Sequence, residues 1–367
     1  MIPSLESIHW HRFLARPHLP PPSAQALALL KATPILITGA GGSIGSALAL
    51  RLAPLAPSRL ALLESSESHL FVLQNECAAA APGLRASFIL GSAAERALLD
   101  EVFSLHAPRL VFHAAAFKQV PLIEEQPLAA IANNVFGTQT LVSAAAAHGA
   151  RVVLLSTDKA VEPASMMGAT KRVAECIVLD AGGTVLRLGN VLASRDSVTD
   201  AFARRIAQGD SLAVTDPAAR RYFLTLDEAV NLLLAAAVEP DAPCLLAPVL
   251  PAPHFIADLA RYMALELAPG RDVPIEFTRL RQGDKETEQL WSRQECPRPA
   301  HCSALLSIES AGPANSTLHA GLARLRAALD VRDFAAALDH MRVLVPDYSP
   351  SKAILSLAGQ YSPRVSS

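Results

Sequence analysis

Ser156-Thr157-Asp158-Lys159 sets a hydroxyl, a carboxyl and an amine on consecutive residues, and eight positions on Met167-Gly168-Ala169-Thr170-Lys171 follows with a second lysine. A carboxyl beside an amine is an acid and a base for proton transfer, as an elimination requires. A lysine serves as the base only where burial or a neighbouring cation lowers its pKa. Met167 and Lys171 have the spacing of a Tyr-x-x-x-Lys redox pair, with a thioether where the phenol would be. A thioether neither gives nor takes a proton. That work would pass to another group, and Thr157 is the nearest. Taken singly, Lys171 could be a solvated helix lysine and Asp158 a helix N-cap; their joint position relative to a glycine loop favours chemistry.

That loop is Thr38-Gly39-Ala40-Gly41-Gly42-Ser43-Ile44-Gly45, after an apolar strand and at the start of a helical pattern. Glycines at 39, 42 and 45 let the backbone turn tightly and approach a diphosphate at the positive end of the helix. Glu64 ends the second strand, where a carboxylate can accept both ribose hydroxyls and repel a 2′-phosphate. Ser65 and Ser66 follow, with no arginine, so NAD is expected in preference to NADP.

The elements that must position these groups alternate. Strands are expected at Pro34–Thr38, Leu60–Leu63, Ala86–Leu90, Leu110–His113, Val152–Ser156 and Thr184–Leu188. Helices are expected at Ile44–Leu52, Glu67–Ala79, Glu95–His106, Ala129–His148 and Gly168–Leu179. Continuous apolar runs alternating with helices specify an α/β fold, a doubly wound parallel sheet. Four regions follow: an N-terminal arm over 1–33 with a short helix at Ala24–Lys31, a dinucleotide-binding domain over 34–190, a smaller substrate lobe over 191–306 with elements around 222–238 returning to the first domain, and a helical tail over 307–367. In the tail, Leu318, Leu322, Leu325 and Leu329 share one face and Phe334, Leu338, Met341 and Leu344 the next, the pattern of a packed helical hairpin.

Composition narrows the classes. Lys+Arg is 32 and Asp+Glu is 34, a balance that gives no general attraction to nucleic acid or an anionic membrane. Apolar runs are far shorter than the roughly 20 residues of a membrane span, and no signal peptide is evident, so a cytoplasmic protein is expected. Five scattered cysteines are no disulfide framework, and Cys296, His301 and Cys302 lack the partners of a closed zinc site; no metal is expected.

The chain resembles the extended short-chain dehydrogenase/reductases and, among them, the nucleotide-sugar 4,6-dehydratases of bacterial polysaccharide biosynthesis, in a branch with methionine at the tyrosine position. The resemblance rests on the glycine loop, Glu64-Ser65-Ser66-Glu67, His113-Ala114-Ala115-Ala116-Phe117-Lys118-Gln119-Val120-Pro121, Asn133-Asn134-Val135-Phe136-Gly137-Thr138, and the two stretches at 156–161 and 167–172. It continues through Arg187-Leu188-Gly189-Asn190, Arg221-Tyr222-Phe223 and Leu280-Arg281-Gln282-Gly283-Asp284-Lys285. It departs from the family pattern at Ser92, Gln119, Gln282 and the 192–197 loop.

The resemblance implies a reaction: oxidation at C4 of a UDP-N-acetylhexosamine, probed first as UDP-N-acetylglucosamine, loss of water across C5–C6 and hydride return to C6. It implies Lys159 as base at C5, Asp158 as acid for the C6 hydroxyl, and Lys171 at the nicotinamide ribose. Thr157 would take over from Met167 at the C4 hydroxyl, passing its proton to Asp158. Gly39, Gly42, Ser43, Ile44, Gly45, Glu64, Ala114 and Ala115 would border the cofactor. Lys118, Asn134 and Asn190 would line the sugar pocket, Arg221 and Arg281 would face the diphosphate, and Glu288 the nucleoside ribose. A homo-oligomer is expected from the fold. Two alternatives stand beside this reading: a nucleotide-sugar 4-epimerase, and a non-catalytic dinucleotide-binding sensor.

Overall fold

The computed structural model describes residues 5–240, 242–309 and 315–361. Six apolar runs form parallel strands: β1 (Pro34–Thr38), β2 (Arg59–Glu64), β3 (Ala86–Leu90), β4 (Leu110–His113), β5 (Arg151–Thr157) and β6 (Thr184–Leu188). They lie in the order β3-β2-β1-β4-β5-β6. Cys244–Pro248 continues the sheet in parallel beside β6, and Leu305–Glu309 and Cys296–Pro299 close that edge antiparallel. The result is a Rossmann-type, doubly wound α/β sheet of nine strands. Winding reverses between β1 and β4, and the crevice at such a switch point, beyond the carboxyl ends of the strands, is where ligands bind in this architecture.

Why these runs become strands is visible in their burial. Ile35, Leu36 and Ile37 of β1 are all buried, as are Leu60 to Leu63 of β2 and Val111 and Phe112 of β4. Helices cover both faces, so both side-chain rows of each central strand are apolar. On one face the Ser43–Leu52 helix packs against Leu226–Ala236. That second helix begins with a capping box, in which Thr225 and Glu228 satisfy each other's backbone amides. Glu228 also takes a two-pronged ion pair from Arg16, at 2.6 and 2.8 Å, which ties the N-terminal arm to the body.

The strands and helices expected within residues 34–190 are found to within two residues, with one exception, and a further helix, Val120–Glu125, was not expected. The helical run expected over Ala129–His148 is broken. Pro127–Ala130 gives way to a wider, π-type segment at Ile131–Gly137 before α-helix resumes at Thr138–Ala147.

Residues 191–306 do not remain together as a lobe. Cys244–Pro248 and Cys296–Pro299 join the large sheet, with Leu305–Glu309 running on from them, and Leu226–Ala236 packs on its helical layer, as expected of the elements around 222–238. What stands apart is a cluster around Phe202, Ile206, Leu212, Leu259 and Met263, joined by Trp10 and Leu14 of the arm. In the tail, Asn315–Asp330 and Phe334–Leu344 form the expected hairpin, and a third helix, Lys352–Tyr361, follows. The hairpin packs on the Met166–Asp180 helix. Among the described residues no helix is long and apolar enough to cross a membrane.

Candidate active site

β5 delivers Thr157 to the crevice, and Asp158–Ala160 turns there as a single 3₁₀ turn. The Lys159 amide donates back to the Thr157 hydroxyl oxygen at 3.4 Å. The Met166–Asp180 helix then crosses close above this turn. A Cβ at Gly168 would lie 2.1 Å from the Lys159 carbonyl oxygen, so only glycine allows the approach. This single contact sets Met167 and Lys171 against Thr157 and Lys159. All four side chains line one cleft of about 400 Å³, together with Gly39, Gly42, Ser43, Ile44, Gly45, Ala114, Lys118 and Asn190.

Within the cleft wall the polar groups form a chain. The Thr157 hydroxyl donates to Asp158 Oδ1 at 3.0 Å, and Lys159 Nζ donates to the same oxygen at 2.9 Å. Lys159 Nζ also donates to Asn190 Oδ1 at 3.1 Å and stands 4.0 Å from Glu288 Oε1. Asp158 is wholly buried behind Thr157 and Lys159, and its Oδ2 has no hydrogen-bond partner among the described residues. Burial opposes the charge on Lys159, but the carboxylates of Asp158 and Glu288 outweigh it and raise the amine above its ordinary pKa. The lysine expected to be a base is therefore held as a cation in this state.

Lys171 shows the opposite balance. Burial lowers its pKa to about 8, against a smaller upward pull from Glu175. Glu175 belongs to a buried charged cluster that sequence reasoning missed. It accepts from Ser156 Oγ at 2.6 Å and from Arg187 at 2.9 and 2.8 Å, and Arg187 reaches on to Glu295 at 2.7 Å. Burial would raise the Glu175 carboxyl, yet Arg187 and Arg172 bring it down to about 2. The cluster ties the end of β5 to β6, the Met166–Asp180 helix and the Ser292–Glu295 turn. Its members come from separate elements, and the pairing of β5 with β6 brings Arg187 opposite Ser156.

The glycine loop sits across the cleft. Gly39 has φ 68°, and a Cβ at Gly45 would lie 2.1 Å from the Gly39 carbonyl oxygen. Gly42 is the N-cap of the Ser43–Leu52 helix and provides no side-chain cap. The first-turn amides are then free of a competing side chain, a donor set that fits a diphosphate. Glu64 buttresses this loop: one oxygen accepts the Gly41 amide at 2.9 Å and the other the Ser66 amide at 2.9 Å. Ala115 lines a smaller cavity beside it, with Gly39, Ser65, Ser92, His113 and Asn133. His113 is clasped between Thr38 (2.7 Å) and Thr138 (3.0 Å), and burial lowers its pKa to about 3, leaving it neutral.

Four residues expected at the substrate, Asn134 at the sugar, Arg221 and Arg281 at the diphosphate and Glu288 at the nucleoside ribose, do not line the cleft. Asn134, on the π-type segment, is buried; it accepts the Phe117 amide at 2.8 Å and donates to the Phe117 carbonyl at 3.0 Å, which shapes the Ala114–Phe117 loop. Arg221 is buried, donating to the carbonyls of Arg220 and Glu286. Arg281 is exposed and pairs with Asp284 at 3.2 Å. Glu288 is buried behind Lys159, where burial pushes its carboxyl up. In each case tertiary packing has directed a polar side chain to the main chain or to another charge.

Comparison with known proteins gives this geometry a family. Residues 35–310 match the model of the family described as polysaccharide biosynthesis protein. The probable polysaccharide biosynthesis protein EpsC of Bacillus subtilis is 37% identical over 279 residues, 72% of this chain and 46% of that protein. The chain thus spans about half the length of that relative. A UDP-glucose 4-epimerase of Rickettsia canadensis is 34% identical over 71% of this chain and 78% of its own length. Among solved structures, Pen from Bacillus thuringiensis superposes with a TM-score of 0.70 at 28% identity, covering 77% of this chain and 89% of that one. A glycine loop facing a Thr-Asp-Lys strand end, on a sheet of this winding and across a match of this extent, assigns the chain to the family of polysaccharide biosynthesis proteins.

Proposed function

We propose that the chain is an NAD-dependent 4,6-dehydratase of a UDP-N-acetylhexosamine, with UDP-N-acetylglucosamine the first substrate to test, acting in surface polysaccharide synthesis. The observation that carries this reading is the contact chain Thr157–Asp158–Lys159 on the cleft wall opposite the glycine loop. Oxidation at C4 alone needs one proton acceptor; an adjacent acid and base are needed only if a C–O bond is also broken.

A nicotinamide bound in the cleft supplies the hydride acceptor for C4 and the donor for C6. The glycine loop and helix terminus hold its diphosphate, and Lys171 its ribose. Glu64 at the end of β2 has both oxygens engaged by the Gly41 and Ser66 amides, but a carboxylate there still repels a 2′-phosphate, which favours NAD over NADP. Thr157 takes the C4 hydroxyl proton and gives its own to Asp158. Asp158 is now the carboxylic acid, and with its negative charge gone Lys159, 2.9 Å away, yields its own proton to solvent and becomes a neutral amine. The amine takes the C5 proton. The acid, hidden behind Thr157 and Lys159, releases its proton to the departing C6 hydroxyl through one of those two groups. Ammonium and carboxylate are then restored and water has formed; as C6 is reduced, the Lys159 ammonium returns a proton to C5 and is itself reprotonated from solvent. Lys118 and Asn190, on the cleft wall, are the sugar contacts in this reading. Arg221, Arg281 and Glu288 would have to move to reach a substrate, so they are secondary to it.

The name of the Rickettsia relative favours a second reading, a 4-epimerase. Incubation of UDP-N-acetylglucosamine with the purified protein in deuterated water separates the two. Loss of one water with deuterium at C5 is the expected result. An isomer of unchanged mass means epimerisation, and absence of turnover across a nucleotide-sugar panel, despite bound dinucleotide, means a sensor.

A further inference from the structure

The Leu192–Ser197 loop is unlike anything the proposed chemistry uses. It leaves the short strand Asn190–Val191; its Ser194, Asp196 and Ser197 line the cleft, while Arg195 is turned to the glycine loop. Two of its residues without glycine's freedom, Ala193 (φ 58°) and Asp196 (φ 56°), are left-handed, a conformation that persists only where surrounding contacts enforce it. Those contacts come from both banks. On the dinucleotide side, the Arg195 amide donates to Ser43 Oγ at 2.9 Å, and the Arg195 guanidinium donates to the Gly41 carbonyl. On the sugar side, Lys118 Nζ donates to the Arg195 carbonyl at 2.7 Å and Gln119 Nε2 to the Asp196 carbonyl at 3.3 Å. Arg195 is thus fixed at both ends of its own main chain, with its cation resting on a neutral carbonyl.

The glycine loop itself, Thr38 to Gly45, contains no lysine or arginine. Its amides and helix terminus offer only partial charge to a diphosphate that carries two full ones. Arg195 is the full positive charge nearest that loop among its described hydrogen-bond partners. A guanidinium bonded to one carbonyl keeps most of its five donors for another acceptor, and its planar fork suits a phosphate.

We propose that Arg195 is a ligand of the dinucleotide diphosphate and that the 192–197 loop is a strap that keeps the dinucleotide in place between turnovers. This rests on the reading of the glycine loop as a nicotinamide-dinucleotide site. It adds a reason for the strap: a reaction that returns its hydride has no need to exchange the cofactor, so slow release costs it nothing.

The test is release of NADH from the purified protein, followed by nicotinamide fluorescence after rapid mixing with excess NAD, without any sugar. Arg195→Ala should release NADH about tenfold faster or more, the size expected for losing a charge-assisted contact, with Arg195→Lys between the two. Lys118→Met, which cuts the opposite anchor and leaves the guanidinium intact, should also speed release. A melting temperature equal to that of the unmodified protein excludes misfolding. Unchanged release from Arg195→Ala, with tight NADH binding by the unmodified protein, overturns the strap and leaves the proposed function standing. No dinucleotide binding by the unmodified protein overturns both.

Discussion

Two lysines near one another in sequence end up in opposite electrostatic conditions. Lys159 keeps its proton because Asp158 and Glu288 outweigh burial; Lys171 is brought to about 8 because burial outweighs Glu175. Lys171 is charged below about pH 8 and neutral above it, whereas a free lysine holds its proton to about 10.4. If its ammonium holds the nicotinamide ribose, dinucleotide affinity should fall as pH rises through 8. Lys171→Met should bind weakly at every pH from 7 to 9, which fluorescence titration would reveal. Thr157 makes a second prediction. Thr157→Val removes the proposed relay and should slow C4 oxidation by about 10²-fold or more, read as cofactor absorbance in a single turnover. Oxidation at the original rate would end the idea that Thr157 replaces the missing phenol. At this scale the sequence identified which residue types gather at the crevice, because strand ends and glycine loops are local patterns. It could not show that Asp158 is hidden or that Asn134 and Arg221 bond to main chain, since orientation depends on elements distant in the chain.

The Met166–Asp180 helix joins chemistry to scaffold. Its N-terminal half presents Met167 and Lys171 to the cleft, and its middle holds Glu175 in the charged cluster with Arg187, Arg172 and Glu295. The helix itself was legible from its apolar spacing. The cluster was not, because nothing local marks Arg187 as facing Glu175. Removing one charge from a buried network leaves its partners uncompensated, at a cost of about 3–5 kcal/mol. Glu175→Gln should therefore lower the denaturant midpoint markedly, while a change of the exposed Asp100, paired with Arg96, should not. The pH dependence has a defined sign. With its carboxyl held near 2 in the fold, Glu175 contributes fully above its ordinary 4.5, and that contribution is lost as pH falls toward 2.

Across the whole molecule, the β-α alternation was enough to specify the doubly wound sheet, because strands buried on both faces have an unmistakable composition. The edge strands from 244 to 309 were obscured by proline and by short, mixed runs. The tail hairpin was legible as two leucine-rich faces, but what it covers was not. Leu325 is fully buried in it, and Leu325→Ala should destabilise the fold by about 2–5 kcal/mol, visible as a lower melting temperature. A stability unchanged by that substitution would make the hairpin a loose appendage. The cover also imposes an order in time. The helix bearing Met167 and Lys171 leaves the ribosome well before the hairpin that shields it, so during synthesis its apolar outer face must wait uncovered. In the growing chain that face is open to wrong partners until the hairpin helices arrive to cover it.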